Sequence, residues 1–333
     1  PQKAKNLVVA GSKEKGYKAF FAASDSEHGE ELWVTDGTPA GTKLVKDIIA
    51  GPGSADITWL TRFNDKVVFS ANTDDYGIEL WISDGTEAGT YMVKDINEVG
   101  NSEPVGFTQL NETQFVFGAF NFESDPNGDG SGQKWLYVSD GTEEGTKLVK
   151  QCKVLYPGQD NNSERHAPYM RVGRKVFFKA DNAEETAGGE LWVTDGTESG
   201  TYMVKNINMQ NNGKGDAAID HMLNYGNTKL FFKAWSQESG NEPWCSDGTE
   251  AGTYEIANTV DRTATSGNGV GGNLTCVGET PYKGKVYFRT EHDVYGAELG
   301  CTNMEKDNYT VFDVNTNEPT FDNKSFPDPG VVF

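Results

Sequence analysis

An all-β fold made of one four-stranded unit repeated along the chain is what the sequence predicts, and three observations predict it. A motif of the form Glu-Leu-Trp-x-x-Asp-Gly-Thr-x-x-Gly-Thr recurs at intervals of roughly 50 residues. A second, more apolar run precedes every copy. The composition, with 39 glycines, 11% aromatic residues and abundant Asn, Asp and Thr, suits short strands joined by tight turns and leaves little room for helix.

The motif copies are ELWVTDGTPAGTKLVKDI at 31–48, ELWISDGTEAGTYMVKDI at 79–96, WLYVSDGTEEGTKLVKQC at 135–152, ELWVTDGTESGTYMVKNI at 190–207 and EPWCSDGTEAGTYEIANT at 242–259. A sixth, ELGCTNMEKDNYTVFDV from Glu298 to Val314, keeps Glu-Leu and Phe-Asp-Val but has lost the Trp and the Asp-Gly-Thr turn. Ahead of them stand KAFFAA from Lys18, KVVFSA from Lys66, QFVFGA from Gln114, KVFFKA from Lys175, KLFFKA from Lys229 and KVYFRT from Lys285, which read as buried strands. Shorter segments such as NLVVA at 6–10, ITWLTRF at 57–63, APYMRV at 167–172 and NLTCVG at 273–278 supply a first strand.

Each unit is therefore read as strand A, strand B, a variable loop, strand C, a DGTxxGT turn and strand D. Units of this size have too little core to stand alone, and radial repetition buries both faces of every sheet against its neighbours. The expected fold is a single β-propeller over residues 1–333, with blades at about 5–48, 55–96, 104–152, 165–207, 217–259 and 272–314. Residues 315–333 serve as a closing strand or tail, or start a seventh blade.

In the turn, the carboxylates of Asp36, Asp84, Asp140, Asp195 and Asp247 are expected to accept backbone N–H bonds, and the glycines to permit a tight hairpin. These are structural residues. Trp33, Trp81, Tyr137, Trp192 and Trp244 recur once per blade, as interblade packing residues would.

On these motifs the chain resembles the ELWxxDGTxxGT repeat proteins, exported bacterial proteins whose repeats are taken to form propellers and whose function is poorly defined. The likeness covers nearly the whole chain, and it implies the fold rather than an activity. The turn also resembles the Asp-box of sialidase-like propellers, a folding element that carries no catalytic residue.

One loop departs from the repeat. NFESDPNGDGSGQK, from Asn121 to Lys134, is inserted before strand C of blade three. Asp125, Asn127 and Asp129 alternate and Gly130 follows, so their oxygens can converge on a hard cation while the glycine makes the bend, with the Ser131 carbonyl in reach. The pattern resembles the first half of an EF-hand loop and the loops of integrin-type propellers, which implies calcium. Leu136 stands where an EF-hand places its bidentate acid.

Fifty acidic against 29 basic residues, a formal charge of −21, oppose binding to nucleic acid or to an anionic bilayer, and no apolar run of about 18 residues is present to span a membrane. His28, His166, His221 and His292 are scattered with no HExxH, and no serine lies in GxSxG. GNGVGG at 267–272 is followed by a strand-like run where a phosphate-binding helix would begin, so no nucleotide site is expected. Cys152, Cys245, Cys276 and Cys301 lack metal-type spacing and leave disulfides open. Sequons fall at Asn111, Asn161, Asn273, Asn308 and Asn323.

Taken together, the sequence leads to the expectation of a secreted or cell-surface, non-enzymatic binding or structural module. Its contacts would be with protein or glycan, or within an assembly, and calcium would be its cofactor. The alternative is a glycan-active hydrolase or lyase with an active site on the propeller axis.

Overall fold

The structure is a computed structural model that describes residues 4–128, 130, 132–155, 169–182, 188–258, 275–276, 281–292 and 296–312. It is an all-β propeller of six antiparallel sheets, five of four strands and one of five, in which the blade strands follow the order A, B, C, D. Two compact units divide the chain, residues 1–154 with three blades and 155–333 with three.

In the first unit, blade one is β1 (Lys5–Ser12), β2 (Gly16–Ala23), β3 (Glu31–Thr35) and β4 (Lys43–Lys46). Blade two is β5 (Thr58–Phe63), β6 (Lys66–Thr73), β7 (Gly77–Ser83) and β8 (Tyr91–Lys94). Blade three is β9 (Val105–Gln109), β10 (Phe115–Ala119), β11 (Trp135–Ser139) and β12 (Lys147–Lys150), and the short β13 (Cys152–Val154) follows it.

In the second unit, blade four is β14 (Tyr169–Val172), β15 (Lys175–Asn182), β16 (Glu190–Thr194) and β17 (Tyr202–Lys205). Blade five is β18 (Asp220–Tyr225), β19 (Lys229–Ser236), β20 (Gly240–Ser246) and β21 (Tyr254–Glu255). Blade six is β22 (Thr275–Cys276), β23 (Val286–His292), β24 (Gly296–Thr302) and β25 (Tyr309–Phe312). The expected tail at 315–333 and the GNGVGG run lie outside the described residues.

The second strands are apolar at successive positions because both of their faces are covered. In β6, Val67, Phe69 and Ala71 join blade-one residues Phe20, Leu32 and Val34 in one core. Val68 points the other way, into a core shared with Phe117 and Tyr137 of blade three. The second unit repeats this, with Phe232 and Ala234 packed on Leu191 and Val193, and Phe231 packed on Phe288. The motif aromatic of each strand C lies opposite a strand B phenylalanine: Phe69 pairs with Trp81, Phe117 with Tyr137, Phe178 with Trp192 and Phe232 with Trp244. Ring centroids in these pairs are 5.6–6.4 Å apart, a cross-strand contact worth about 0.5–1.5 kcal/mol beyond burial.

The DGTxxGT turn is one hydrogen-bonded knot, repeated in five blades. In blade two, Asp84 Oδ1 accepts Thr86 N–H at 2.8 Å and Thr86 Oγ1–H at 2.7 Å. Thr86 Oγ1 accepts Gly89 N–H at 3.0 Å, and Thr90 Oγ1 donates to Thr86 O at 2.7 Å. Asp36, Asp140, Asp195 and Asp247 make the same bonds. The hydroxyl of the following threonine holds the Asp36, Asp140 and Asp195 carboxyls below the usual carboxylate range. A Cβ on Gly89 would overlap the Asp84 carboxylate, which explains the second glycine of the motif. In blade six the turn survives on Asn303, whose Oδ1 accepts Glu305 N–H at 3.2 Å.

The turns of blades two, three and five also receive the blade before them. Lys46 Nζ donates to Thr90 O at 3.1 Å and Lys94 Nζ to Thr146 O at 3.2 Å, while Tyr91 OH donates to Gly141 O at 3.2 Å. In the second unit Lys205 Nζ reaches Thr253 O at 2.9 Å and Tyr202 OH reaches Gly248 O at 2.8 Å.

The motif glutamate has a separate role. Glu31, Glu79, Glu190, Glu242 and Glu298 are fully buried at the start of strand C. Glu31 accepts N–H bonds from Ile48 and Ile49 at 3.1 Å each, and Glu190 from Ile207 and Asn208 at 2.9 Å each. These carboxylates fasten the loop that leaves each strand D. Burial pushes Glu31 and Glu190 up to about 7, against the opposing pull of those N–H bonds. Asp47 and His28 face Glu31, and Asp216 and Lys179 face Glu190.

Two predictions follow from these contacts. Gly89→Ala should lower unfolding stability by about 1–3 kcal/mol in chemical denaturation, because its methyl displaces the Asp84 carboxylate. Gly37→Ala, which meets open space and bears only left-handed strain, should cost about 1 kcal/mol or less.

Because Glu31 and Glu190 titrate higher in the folded chain than when unfolded, the folded state binds more protons between the ordinary glutamate range and about 7. Their contribution is full below that window and lost as pH rises through it. The melting temperature should therefore fall between about pH 5 and 8, and Glu31→Gln with Glu190→Gln should flatten the slope. An unchanged slope in that double variant would refute the assignment.

Candidate cation site

The blade-three insertion links β10 to β11 and is folded around Asp125. Asn121 opens it as a turn: its Oδ1 accepts Ser124 N–H at 2.9 Å, its backbone carbonyl accepts Asp125 N–H at 2.8 Å, and its Nδ2 donates to Tyr137 OH at 2.8 Å. Asp125 is 1% exposed. One carboxylate oxygen, Oδ2, accepts Gly130 N–H at 2.9 Å, and the backbone carbonyl accepts Gly128 N–H at 3.1 Å. The other, Oδ1, is buried with no hydrogen-bond partner.

A buried carboxylate oxygen without a donor costs about 1–3 kcal/mol or more. Such an oxygen calls for a donor or a cation as its partner. Gly128 and Gly130 have φ of +65° and +75°, the bend that the alternating pattern requires. Asn127 is exposed on the same loop. Asp129 and Ser131 lie outside the described residues. Leu136 is fully buried in β11, so no acid occupies the downstream position. Among the described residues, no group of three or more His, Cys, Asp or Glu side chains is gathered for a metal. The observation in favour of a cation is the orphaned Asp125 oxygen, and calcium, a hard ion that takes carboxylate and carbonyl oxygens, suits this donor set.

The insertion is seated by Lys134, whose Nζ pairs with Glu103 Oε2 at 2.9 Å and lies 4.5 Å from the centre of the Phe120 ring. Blades with shorter B–C loops differ in what they touch. Gly29 N–H donates to Gly51 O, and a Cβ on Gly188 would overlap Gly215 O, so those loops rest on the segment leaving their own blade. The blade-three insertion rests on the segment entering it: a Cβ on Gly128 would lie 2.6 Å from Val99 O.

The remaining sequence-derived sites divide clearly. The five turn aspartates are structural, as described above. Asn111 accepts Thr113 N–H at 2.9 Å, and Asn308 is exposed. Asn161, Asn273 and Asn323 lie outside the described residues. Cys152, Cys245 and Cys301 are buried free thiols.

One feature of the first strands carried no sequence signal. β1, β5, β9 and β18 share a bulge, with positive φ at Asn6, Trp59, Gly106 and His221. Left-handed backbone is costly at Trp59 and His221. At His221 the bulge places Nδ1 3.1 Å from Asp220 Oδ2, with Lys233 Nζ 3.5 Å from the same oxygen. Burial works to raise the Asp220 carboxyl, but its bonds to His221 and the nearby charges hold it well below the ordinary range.

No family model and no curated protein matches the chain. Solved structures do. A puromycin hydrolase (S511A mutant complexed with PGG) is similar at 10% identity and a TM-score of 0.45, over 96% of this chain and 47% of that one. The β-propeller domain of the Trilobed protease from Pyrococcus furiosus is similar at 14% identity and a TM-score of 0.42, over 95% and 85%. A structure of prolyl endopeptidases is similar at 11% identity and a TM-score of 0.47, over 92% and 43%.

The chain thus spans less than half the length of the puromycin hydrolase and prolyl endopeptidase chains. At such identities the likeness is one of fold. It nevertheless corrects the expectation of a non-enzymatic extracellular or cell-surface module: the matching structures are those of hydrolases and peptidases, so blades built on structural turns do not mark a protein as non-enzymatic. No helix among the described residues is long and apolar enough to cross a membrane, which leaves spans made of strands unaddressed.

Proposed function

We propose that this chain is a calcium-binding β-propeller in which the ion is held by the blade-three insertion and fixes that loop against the fold. The single observation that carries the reading is the buried, unpartnered Oδ1 of Asp125, in a loop whose glycines already adopt the bend of an oxygen-ligand site. Asp125 would supply a carboxylate oxygen, Asn127 and Asp129 oxygens at alternate positions, and Ser131 its backbone carbonyl. The ion would neutralise a buried carboxylate that Gly130 N–H satisfies only on one side.

The net charge of −21 favours a divalent cation over any polyanion as the partner. Calcium bound to the folded chain alone would raise stability by about 2.7 kcal/mol at a hundredfold excess over Kd, a rise of about 4 °C in melting temperature for a chain of this length. The expected result is such a shift on adding calcium to chelator-treated protein, lost in Asp125→Ala with Asp129→Ala. Equal melting temperatures with calcium and with chelator would overturn the proposal.

A further inference from the structure

From the cluster of side chains around Gly189 we infer that Lys179 and Asp216 are joined by an isopeptide bond, which the folded chain forms on itself with Glu190 as proton carrier and which staples β15 of blade four to the segment entering blade five. The inference is independent of the calcium reading.

The three groups meet at one glycine. Lys179, on β15 with its side chain 17% exposed, places Nζ 2.8 Å from Asp216 Oδ1. Glu190, fully buried at the start of β16, faces both. A Cβ on Gly189 would lie 2.4 Å from Lys179 Cε and 2.8 Å from Asp216 Oδ2, so the pair fills the space that a side chain would take. Other blades carry Glu30, Ile78, Lys134, Asn241 or Ala297 at this place, and blade four carries glycine. The backbone holds the partners in register: Ala217 N–H donates to Gly189 O at 2.9 Å, Asn208 Nδ2 donates to Asp216 O at 2.8 Å, and Asn208 N–H is one of the two donors to Glu190.

A lysine ammonium and an aspartate carboxylate differ from an amide by one water. Nζ passes a proton to Glu190 and attacks Asp216 Cγ. The C–N bond forms, the Cγ–Oδ2 bond breaks, and Oδ2 leaves as water, carrying the proton returned by Glu190 and a second one from Nζ. Nothing is oxidised or reduced. Oδ1 accepts Ala218 N–H at 2.6 Å, a donor that stabilises the charge this oxygen carries in the tetrahedral intermediate and stays with it as the amide oxygen. Burial pushes Glu190 up to about 7, which suits a group that takes and returns a proton near neutral pH. Fixed contact between the reactants replaces a chance encounter, and the product exchanges a partly desolvated ion pair for a neutral group. Asp216 is the exposed member of the cluster, so the water has a way out.

Blade five supplies the contrast. Lys233 lies opposite Pro243 as Lys179 lies opposite Leu191, so the two lysines occupy the same place in their blades. Lys233 Nζ is 3.5 Å from Asp220 Oδ2, and His221 contacts both oxygens of that carboxyl, at 2.7 Å through its N–H and at 3.1 Å through Nδ1. These contacts hold Asp220 as a carboxylate, a poor electrophile, and no bond is expected there. Blades one to three have Ala22, Ser70 and Gly118 at the lysine's place.

The test is mass spectrometry of the denatured full chain, intact and after proteolysis. The native chain should be lighter than its sequence by one water, with residues 179 and 216 in one branched peptide. Lys179→Arg, which keeps the ion pair but forms no amide, and Asp216→Ala should both restore the full mass. Asp216→Asn should still give the branched peptide, with ammonia lost in place of water. Glu190→Gln, checked for folding by circular dichroism, should leave most chains unbonded, and Lys233→Arg should change nothing. Full mass in the native chain, or residues 179 and 216 on separate peptides, would overturn the inference. A branched peptide formed equally in Glu190→Gln would overturn the part given to Glu190.

Discussion

The turn between the third and fourth strands is the constraint on which this propeller depends, because it answers two demands at once. It must satisfy its own backbone in a tight reversal, and it must present carbonyl oxygens to the blade before it. The aspartate and threonine side chains meet the first demand by accepting the turn N–H groups internally. That leaves the carbonyls of Thr90, Gly141 and Thr146 pointing outward for the lysines and tyrosine of the preceding strand D. A motif that reads as local turn chemistry is thereby also the interblade latch, so its repetition and the repetition of strand D lysines are one phenomenon.

A second tie lies toward the opposite end of strand C. The buried glutamate closes the loop to the next blade by accepting two of its N–H groups, and blade three alone among the blades has Trp135 at that position. Blade three is also the blade that carries the long insertion. Where the repeat gives up its carboxylate clamp, another acidic side chain, Asp125, is brought inside by the added loop, and the connection is made to the segment entering the blade instead of the one leaving it.

The strand order, the pairing of strand B with strand C and the turn aspartates were legible in the sequence because each is a local pattern repeated in five or six places. Phe69 and Trp81, for example, occupy fixed offsets in their runs, and antiparallel pairing brings those offsets opposite one another. The site was only half legible. Alternating Asp125 and Asn127 with Gly130 marked the loop, but nothing in the spacing told that Val99 and Gly100, nearly thirty residues earlier, pack against Gly128, since that depends on how successive blades pack. The left-handed bulge at His221 and its pairing with Asp220 and Lys233 were hidden for the same reason: a bulge belongs to a pair of strands, not to one. The motif glutamates were visible as letters, but their burial was not, because a carboxylate goes inside only where the fold supplies N–H donors. The functional expectation failed at another level, since absent catalytic motifs in a repeat say little about the protein that carries it.

The most direct test of the cation site is a crystal structure grown with calcium, phased to show anomalous scattering. An anomalous peak within about 2.6 Å of Asp125 Oδ1 is the result the blade-three site requires. A water molecule on Asp125 Oδ1 and no anomalous peak at the blade-three insertion at saturating calcium would contradict it.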